Sequence, residues 1–290
     1  MARGDQVRIL DDLSTGRREH APSGAELIVD TIENFNSVAR AMDGVDGCFH
    51  LAAIASVERG RTEWLATHRI NLTGTIAVFE AARRARDGQP VPVVYASSAA
   101  VYGDNPNAPL SEDERLAPLS AYGADKLGCE LHGRVAWNIH AVPNVGLRFF
   151  NVYGPRQDPK SPYSGVISIF VDRLSAGRDI AIHGDGRQMR DFIFVKDVVR
   201  FLIAAMDRTD QGHHVFNVCT GRGTTILDLA RSIGRLIGRE PVISHQPPRA
   251  GDIRLSLGNP AKAAGALGIA AGTPLDDGLR RTLEAFCPAP

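Results

Sequence analysis

The sequence predicts an α/β protein built on a doubly wound parallel sheet, followed by a smaller C-terminal region. Three observations carry this. Short apolar runs alternate with segments of helical periodicity through the first 150 residues. Several of those runs end in acidic or small residues. Beyond about residue 150 the rhythm loosens into Gly- and Pro-rich stretches. Strand–helix alternation implies crossover connections, which place helices on both faces of a parallel sheet.

Taken in order, Val7–Leu10 and Leu27–Val29 read as strands, the second ending at Asp30. A helix is expected over Ile32–Met42. "GCFHLAA" (Gly47–Ala53) reads as a buried strand entering a small-residue loop. A long helix is expected over Thr62–Arg86, with Trp64, Leu65, Ile76, Phe79 and Ala82 as core positions. "VPVVYASS" (Val91–Ser98) is the next strand, Ser120–Ile139 a helix, and "NVGLRFFNVYG" begins with a strand. "VYGPRQDPKSPYSG" reads as loop and Ile167–Ala176 as helix. "FIFVKDVVRFLIAAM" joins a strand to a helix, "HVFNVCTG" is a strand, and "TTILDLARSIGRLIG" has helical spacing. One or two helices close the chain between Pro260 and Phe286.

Composition narrows the function classes. The 290 residues are 43% apolar and 23% charged, as in ordinary soluble proteins. Lys+Arg and Asp+Glu both number 33, so bulk charge selects neither nucleic acid nor an anionic membrane as partner. Cys48, Cys129, Cys219 and Cys287 form no C-x-x-C pair and are expected to be reduced and structural. His213-His214 is expected to be an exposed turn rather than a ligand pair, so no metal site is foreseen. No apolar run approaches the roughly 18 residues that span a membrane, and no apolar signal segment opens the chain. A cytoplasmic protein is expected.

The sharpest chemical signal is "SAYGADK". Tyr122 and Lys126 are four residues apart on a predicted helix, so both project from one face. A lysine cation near a phenol favours the phenolate, which makes Tyr122 a candidate acid/base group. Alone, Y-x-x-x-K also describes an ordinary exposed helix. It gains force from "VVYASSAAVYG", a strand that carries Ser97 and Ser98 to its C-terminal end, where open α/β sheets hold ligands. "TGRGTT" (Thr220–Thr225) imitates a phosphate loop between strand and helix. It lacks a third glycine at the required spacing, and a tight turn explains it.

Together, "ILDDLSTG", "HLAA", "NLTGT", "YASSAAVYG", "SAYGADK", "LRFFNVYGPRQ", "GDGRQMRDFIFVKDV" and "PPRAGDIRLSLGNPAKA" resemble the extended short-chain dehydrogenase/reductases, nearest the nucleotide-sugar 4-epimerases of the UDP-galactose 4-epimerase type. The resemblance implies a Rossmann-type fold with bound NAD and a catalytic set of Ser98, Tyr122 and Lys126. It implies epimerisation at C4 of a UDP-hexose through a 4-keto sugar. For the cofactor it marks Asp11 on the adenosine ribose, Asp12, Ser14 and Gly16 in the adjoining loop, and Asp30 near the adenine. It further marks Leu51, Ala52 and Ala53 along the pyrophosphate and nicotinamide ribose, and Asn71 at the start of the long helix. From the residues alone, Asp30 reads equally as a helix cap.

For the sugar nucleotide the resemblance marks Asn151, Arg190, Arg249, Asp252 and Ser256. Guanidinium forks suit diphosphate oxygens. A small residue at Ser256 is associated with tolerance of a 2-N-acetyl group. Residues 1–150, joined by 191–218, are then the NAD-binding domain, and 151–290 mainly the substrate-binding region. A homodimer through helices near 62–86 and 120–139 is implied, with a UDP-sugar as small-molecule partner. A 4,6-dehydratase of this family follows its Ser/Thr with Asp-Glu; here Ala99-Ala100 follows Ser98, which argues against that reading. A decarboxylase of this family and a catalytically silent sugar-nucleotide binder are the remaining alternatives. Family members open with a strand, a G-x-x-G-x-x-G loop and a helix before the segment that "MARGDQV" resembles. About two dozen residues are therefore expected to be missing, with NAD held weakly as a result.

Overall fold

The structure, a computed structural model, describes residues 1, 3–158, 165–208, 212–248 and 252–286. In chain order the strands and helices begin β1 (Arg8–Asp11), β2 (Glu26–Val29), α1 (Phe35–Met42), β3 (Cys48–His50), α2 (Val57–Thr62), α3 (Trp64–His68) and α4 (Gly74–Ala82). They continue with β4 (Val93–Ser98), α5 (Ala121–His140), β5 (Asn144–Phe149), β6 (Asn151–Tyr153), α6 (Val166–Ser175), β7 (Ile180–His183), β8 (Met189–Phe194) and α7 (Val195–Met206). The last are β9 (His213–Val218), β10 (Gly223–Thr225), α8 (Ile226–Ile237), β11 (Ile243–Gln246), β12 (Leu255–Ser256), α9 (Ala261–Leu267) and α10 (Leu275–Phe286).

By compactness the chain forms one unit from Met1–Ser97, Ser120–Gly146 and Met206–His214, and another from Ser98–Leu119, Leu147–Ala205 and Val215–Pro290. The chain thus passes repeatedly between the two units.

In the first unit β1 and β2 pair in parallel, from Arg8 opposite Glu26 to Asp11 opposite Val29. β3 and β4 pair in parallel from Cys48 opposite Val93 to His50 opposite Tyr95, within a sheet ordered β3-β4-β5-β9. Among the described residues no ladder joins β1 to β3. Within Gly47–Ala53, read as a buried strand entering a small-residue loop, the strand is Cys48–His50 and it is only partly buried. Phe49 in β3 and Leu51 in the loop after it are exposed, while His50 is buried. Val38, Met42, Val78, Phe79, Val93, Tyr95 and Val142 form this unit's core.

The long helix expected over Thr62–Arg86 is broken. Ser56 caps α2, its Oγ accepting from Arg59 N at 3.0 Å. Glu63, at φ −126° and ψ 51°, leaves helical geometry, so α3 starts afresh. Arg69–Thr73 then form one wide turn of π-helix before α4. Of the five core positions foreseen there, Phe79 and Ala82 are buried. Trp64, Leu65 and Ile76 are not, at 69%, 64% and 37% exposure. Helical spacing identifies an apolar stripe but does not say which surface covers it.

The second unit centres on β8. β10 pairs with it antiparallel, β12 and β6 in parallel, while β7 and β11 form a separate parallel pair. Its core gathers Tyr153, Phe170, Leu174, Ile182, Phe194, Leu229, Ile233 and Leu279. At Gly103, φ is +64° and an added Cβ would lie 1.9 Å from the Ala117 carbonyl oxygen, so only glycine fits that turn. His213 belongs to β9 rather than to a turn, and its Nδ1 lies 2.7 Å from Asn144 Oδ1. Cys48, Cys129 and Cys219 are free thiols, and Cys287 lies outside the described residues. Among the described residues, no His/Cys/Asp/Glu group could hold a metal and no helix is long and apolar enough to cross a membrane.

Candidate active site

Ser120 starts α5. Its Oγ accepts from Gly123 N at 3.1 Å, satisfying a donor that the helix itself leaves free. One turn on, Tyr122 and Lys126 share a face, with Lys126 Nζ 5.9 Å from the Tyr122 ring centre. Lys126 is 3% exposed, and its ammonium donates to the Ala96 carbonyl at 2.9 Å. Tyr122 is half-buried. One turn beyond Lys126, Glu130 accepts from Ser97 Oγ at 2.5 Å. Two successive residues near the end of β4 are therefore bonded to two successive turns of α5. Ser98 follows as the last residue of β4, half-buried, its Oγ accepting from Ala100 N at 3.1 Å.

The residues expected at the adenosine end sit on the paired strands. Asp30 N donates to the Asp11 carbonyl at 3.2 Å, which brings the C-terminal ends of β1 and β2 together. Asp11 Oδ1 accepts from Leu13 N at 2.8 Å, and Asp12 Oδ1 from Ser14 N at 2.9 Å, so both carboxylates shape the loop. A Cβ on Gly16 would stand 3.1 Å from Asp11 Oδ1, so the loop folds closely over that carboxylate. Asp12, Ser14 and Gly16 are exposed.

Asp30 accepts from Thr31 N at 2.8 Å, Asn34 Nδ2 at 2.8 Å and Ser37 Oγ at 2.5 Å. These bonds, that from Ser37 foremost, hold its carboxyl below the usual range. Its carboxylate thus already serves the start of α1. Leu51 and Ala52 are exposed and Ala53 half-buried, a surface of mostly small side chains open to a ligand. Asn71, expected at the start of the long helix as a cofactor residue, lies in the turn just before α4. It is fully buried, with its amide bonded to the backbone of Ile54.

In the second unit β8 organises the expected substrate residues. Arg190 is opposite Ser256 on β12 and Thr224 on β10; Asn151 on β6 is opposite Phe192. Arg190 Nη2 donates to Asp252 Oδ1 at 2.5 Å. Burial pulls the Arg190 guanidinium's pKa down, and the Asp252 carboxylate opposes this. Arg190, Asp252 and Ser256 thus come together. Arg249 lies outside the described residues.

Sequence reasoning missed Asp191. Strand alternation turns it to the face opposite Arg190. Its carboxylate accepts from Thr220 N at 2.8 Å, Thr220 Oγ1 at 2.7 Å and Gly221 N at 2.9 Å. The "TGRGTT" turn therefore spends these donors internally, and Thr225 caps α8 by accepting from Asp228 N at 3.0 Å. Also unforeseen is a buried group in which Arg148 Nη1 donates to Tyr102 OH at 2.8 Å and Tyr102 OH donates to Asn217 Oδ1 at 2.7 Å. A tyrosine in an apolar-looking run and an arginine mid-strand were its only signals.

A model of the NAD dependent epimerase/dehydratase family matches residues 1–219. The chain belongs to that family. It is 35% identical to the UDP-glucose 4-epimerase of Mycolicibacterium smegmatis, over 99% of this chain and 92% of that one. Among solved structures, UDP-glucose 4-epimerase of Thermotoga maritima, with UDP-glucose, superposes with TM-score 0.93 at 33% identity, covering 98% of this chain and 92% of that one. A UDP-N-acetylglucosamine 4-epimerase of Methanobrevibacter ruminantium, in complex with UDP-N-acetylmuramic acid, gives TM-score 0.91 at 32% identity, over 97% and 90%.

Proposed function

We propose that this chain epimerises C4 of a UDP-hexose with NAD as cofactor. The observation that carries the reading is the shared face of Tyr122 and Lys126 on α5, with Lys126 bonded to Ala96 of β4. NAD fits the first unit's groups: the Asp11 carboxylate with Gly16 folded against it, the exposed Leu51 and Ala52, and the Lys126 ammonium. Bound there, NAD would supply the hydride acceptor and donor for C4.

Tyr122 removes the proton of the 4-hydroxyl and later restores it. Ser98 hydrogen-bonds the same oxygen. Lys126 stabilises the negative charge that passes through the phenol oxygen, and its bond to Ala96 fixes its position. Arg190 pairs with the diphosphate, Asp252 with the uridine ribose, and Asn151 holds the diphosphate or sugar. Arg249 is assigned to the diphosphate on resemblance alone. Ser256, opposite Arg190, leaves room for a 2-N-acetyl group, and N-acetylhexosamine is the favoured substrate class.

The working form is a homodimer. Exposed Trp64, Leu65, Ile76, Leu131, Val135 and Ile139 on α3, α4 and α5 give the first unit an apolar surface that monomers rarely leave open. The cytoplasm suits the unpaired thiols Cys48, Cys129 and Cys219.

The test is incubation with NAD and either UDP-galactose or UDP-N-acetylgalactosamine. The reading expects conversion to the 4-epimer without net cofactor reduction, faster for the N-acetylated sugar. A dehydrated or decarboxylated product would contradict it. Faster turnover of the plain hexose would contradict the role of Ser256, and Ser256→Tyr should shift preference toward that hexose.

A further inference from the structure

Leu51, Ala52 and Ala53, the loop assigned above to the cofactor, lie between two pinned residues. On one side is His50, the last residue of β3, with Nε2 2.9 Å from Thr75 Oγ1. On the other is Ile54, whose N–H donates to Asn71 Oδ1 at 2.7 Å and whose carbonyl accepts from Asn71 Nδ2 at 3.1 Å. The two anchors are themselves joined, because the Thr75 hydroxyl donates to the Asn71 carbonyl at 2.6 Å.

The directions of these bonds follow from proton count. A hydroxyl has one proton to give. Thr75 spends it on Asn71, so it meets His50 as an acceptor, and the hydrogen of the imidazole is on Nε2. Burial, with Lys126 adding, pulls the His50 pKa down to about 3, so the ring is neutral and this arrangement holds at working pH. Cys129 Sγ lies 3.3 Å from both Thr75 Oγ1 and the Asn71 carbonyl and packs the same node. Asn71 sits in the π-helical turn ahead of α4, a distortion common at functional positions.

Burial separates holder from held. Asn71 has no accessible surface and Thr75 has 1%, whereas Leu51 and Ala52 are exposed. A side chain without accessible surface does not touch a ligand docked on the loop. We propose that Asn71, Thr75 and His50 form a buried bracket that fixes the path of Leu51–Ala53 and so sets NAD affinity, with Asn71 a positioning residue acting through Ile54. The inference rests on the assignment of this loop to NAD.

Thr75→Val removes the hydroxyl at constant shape, and Thr75→Ser keeps it. NAD is titrated against the whole chain, and amide hydrogen exchange is followed at Ile54. Thr75→Val should weaken NAD binding and speed Ile54 exchange, each by about tenfold. Thr75→Ser should stay within about twofold of the parent, and UDP binding should not change in either. Unchanged exchange in Thr75→Val overturns the bracket. Faster exchange with unchanged NAD affinity overturns its role in cofactor binding. A parent chain that takes up no NAD at millimolar concentration defeats the cofactor assignment and the proposal resting on it; exchange at Ile54 still decides whether the bracket holds the loop.

Discussion

Lys126 and Tyr122 stand one helical turn apart on α5, with the ammonium 5.9 Å from the centre of the phenol ring and bonded to the Ala96 carbonyl. The ammonium is tied to the end of β4, so its charge is delivered at one height above the strand. This geometry is what acid/base work at a sugar hydroxyl requires: a proton carrier and a fixed cation beside it.

Arg190 is mostly buried against Asp252 and is assigned to the diphosphate. Arg190→Ala removes charge-assisted hydrogen bonds worth roughly 1.5–3 kcal/mol. The KM for the UDP-sugar should rise about ten- to hundredfold, with kcat changed only a few fold. Steady-state kinetics check this, and a fall in kcat at constant KM would move Arg190 out of ground-state binding.

His50 makes stability pH-dependent in a defined direction. Its folded pKa of about 3 lies below the ordinary histidine value near 6.5. Below that ordinary value the unfolded chain takes up a proton that the folded chain refuses. Stability is therefore retained above about pH 6.5 and lost as pH falls toward about 3. Urea unfolding at about pH 7.5 and about pH 5 should show an extra loss near 2 kcal/mol in the parent relative to His50→Gln (at about 1.4 kcal/mol per pH unit). Equal losses in both proteins would show that His50 titrates normally in the fold.

The apolar surface of α5 is the proposed dimer contact. Leu131, Val135 and Ile139 recur at four-residue spacing and are 53%, 48% and 70% exposed. Charges placed on such a face oppose its burial. Leu131→Glu with Ile139→Glu should convert a dimer to a monomer in analytical ultracentrifugation, with an unchanged circular dichroism spectrum. A parent that sediments as a monomer at micromolar concentration would remove the dimer from the account.

Much of the fold was legible because strand ends and helix caps are written locally. Ser120 before "AYGADK" marks the start of α5, and the β-branched run before Ser97 marks β4. The short strands β7, β10, β11 and β12 were not legible, since two to four residues carry too little periodicity. The break at Glu63 and the π-helical turn at Asn71 depend on packing rather than on propensity, and so escaped notice. Within the candidate site, the residues assigned to ligand are named by motif. Buried groups that bond across the chain, Asp191 to the Thr220 turn and Thr75 to His50, became visible only when distant segments met.

The most direct measurement is the turnover of Tyr122→Phe on UDP-N-acetylgalactosamine with saturating NAD, alongside its affinity for UDP. Removing one half-buried hydroxyl should lower kcat by about 10²–10⁴-fold while UDP affinity stays within about twofold. A Tyr122→Phe protein that epimerises at the parent rate would contradict the account, since the proton would then travel by another group.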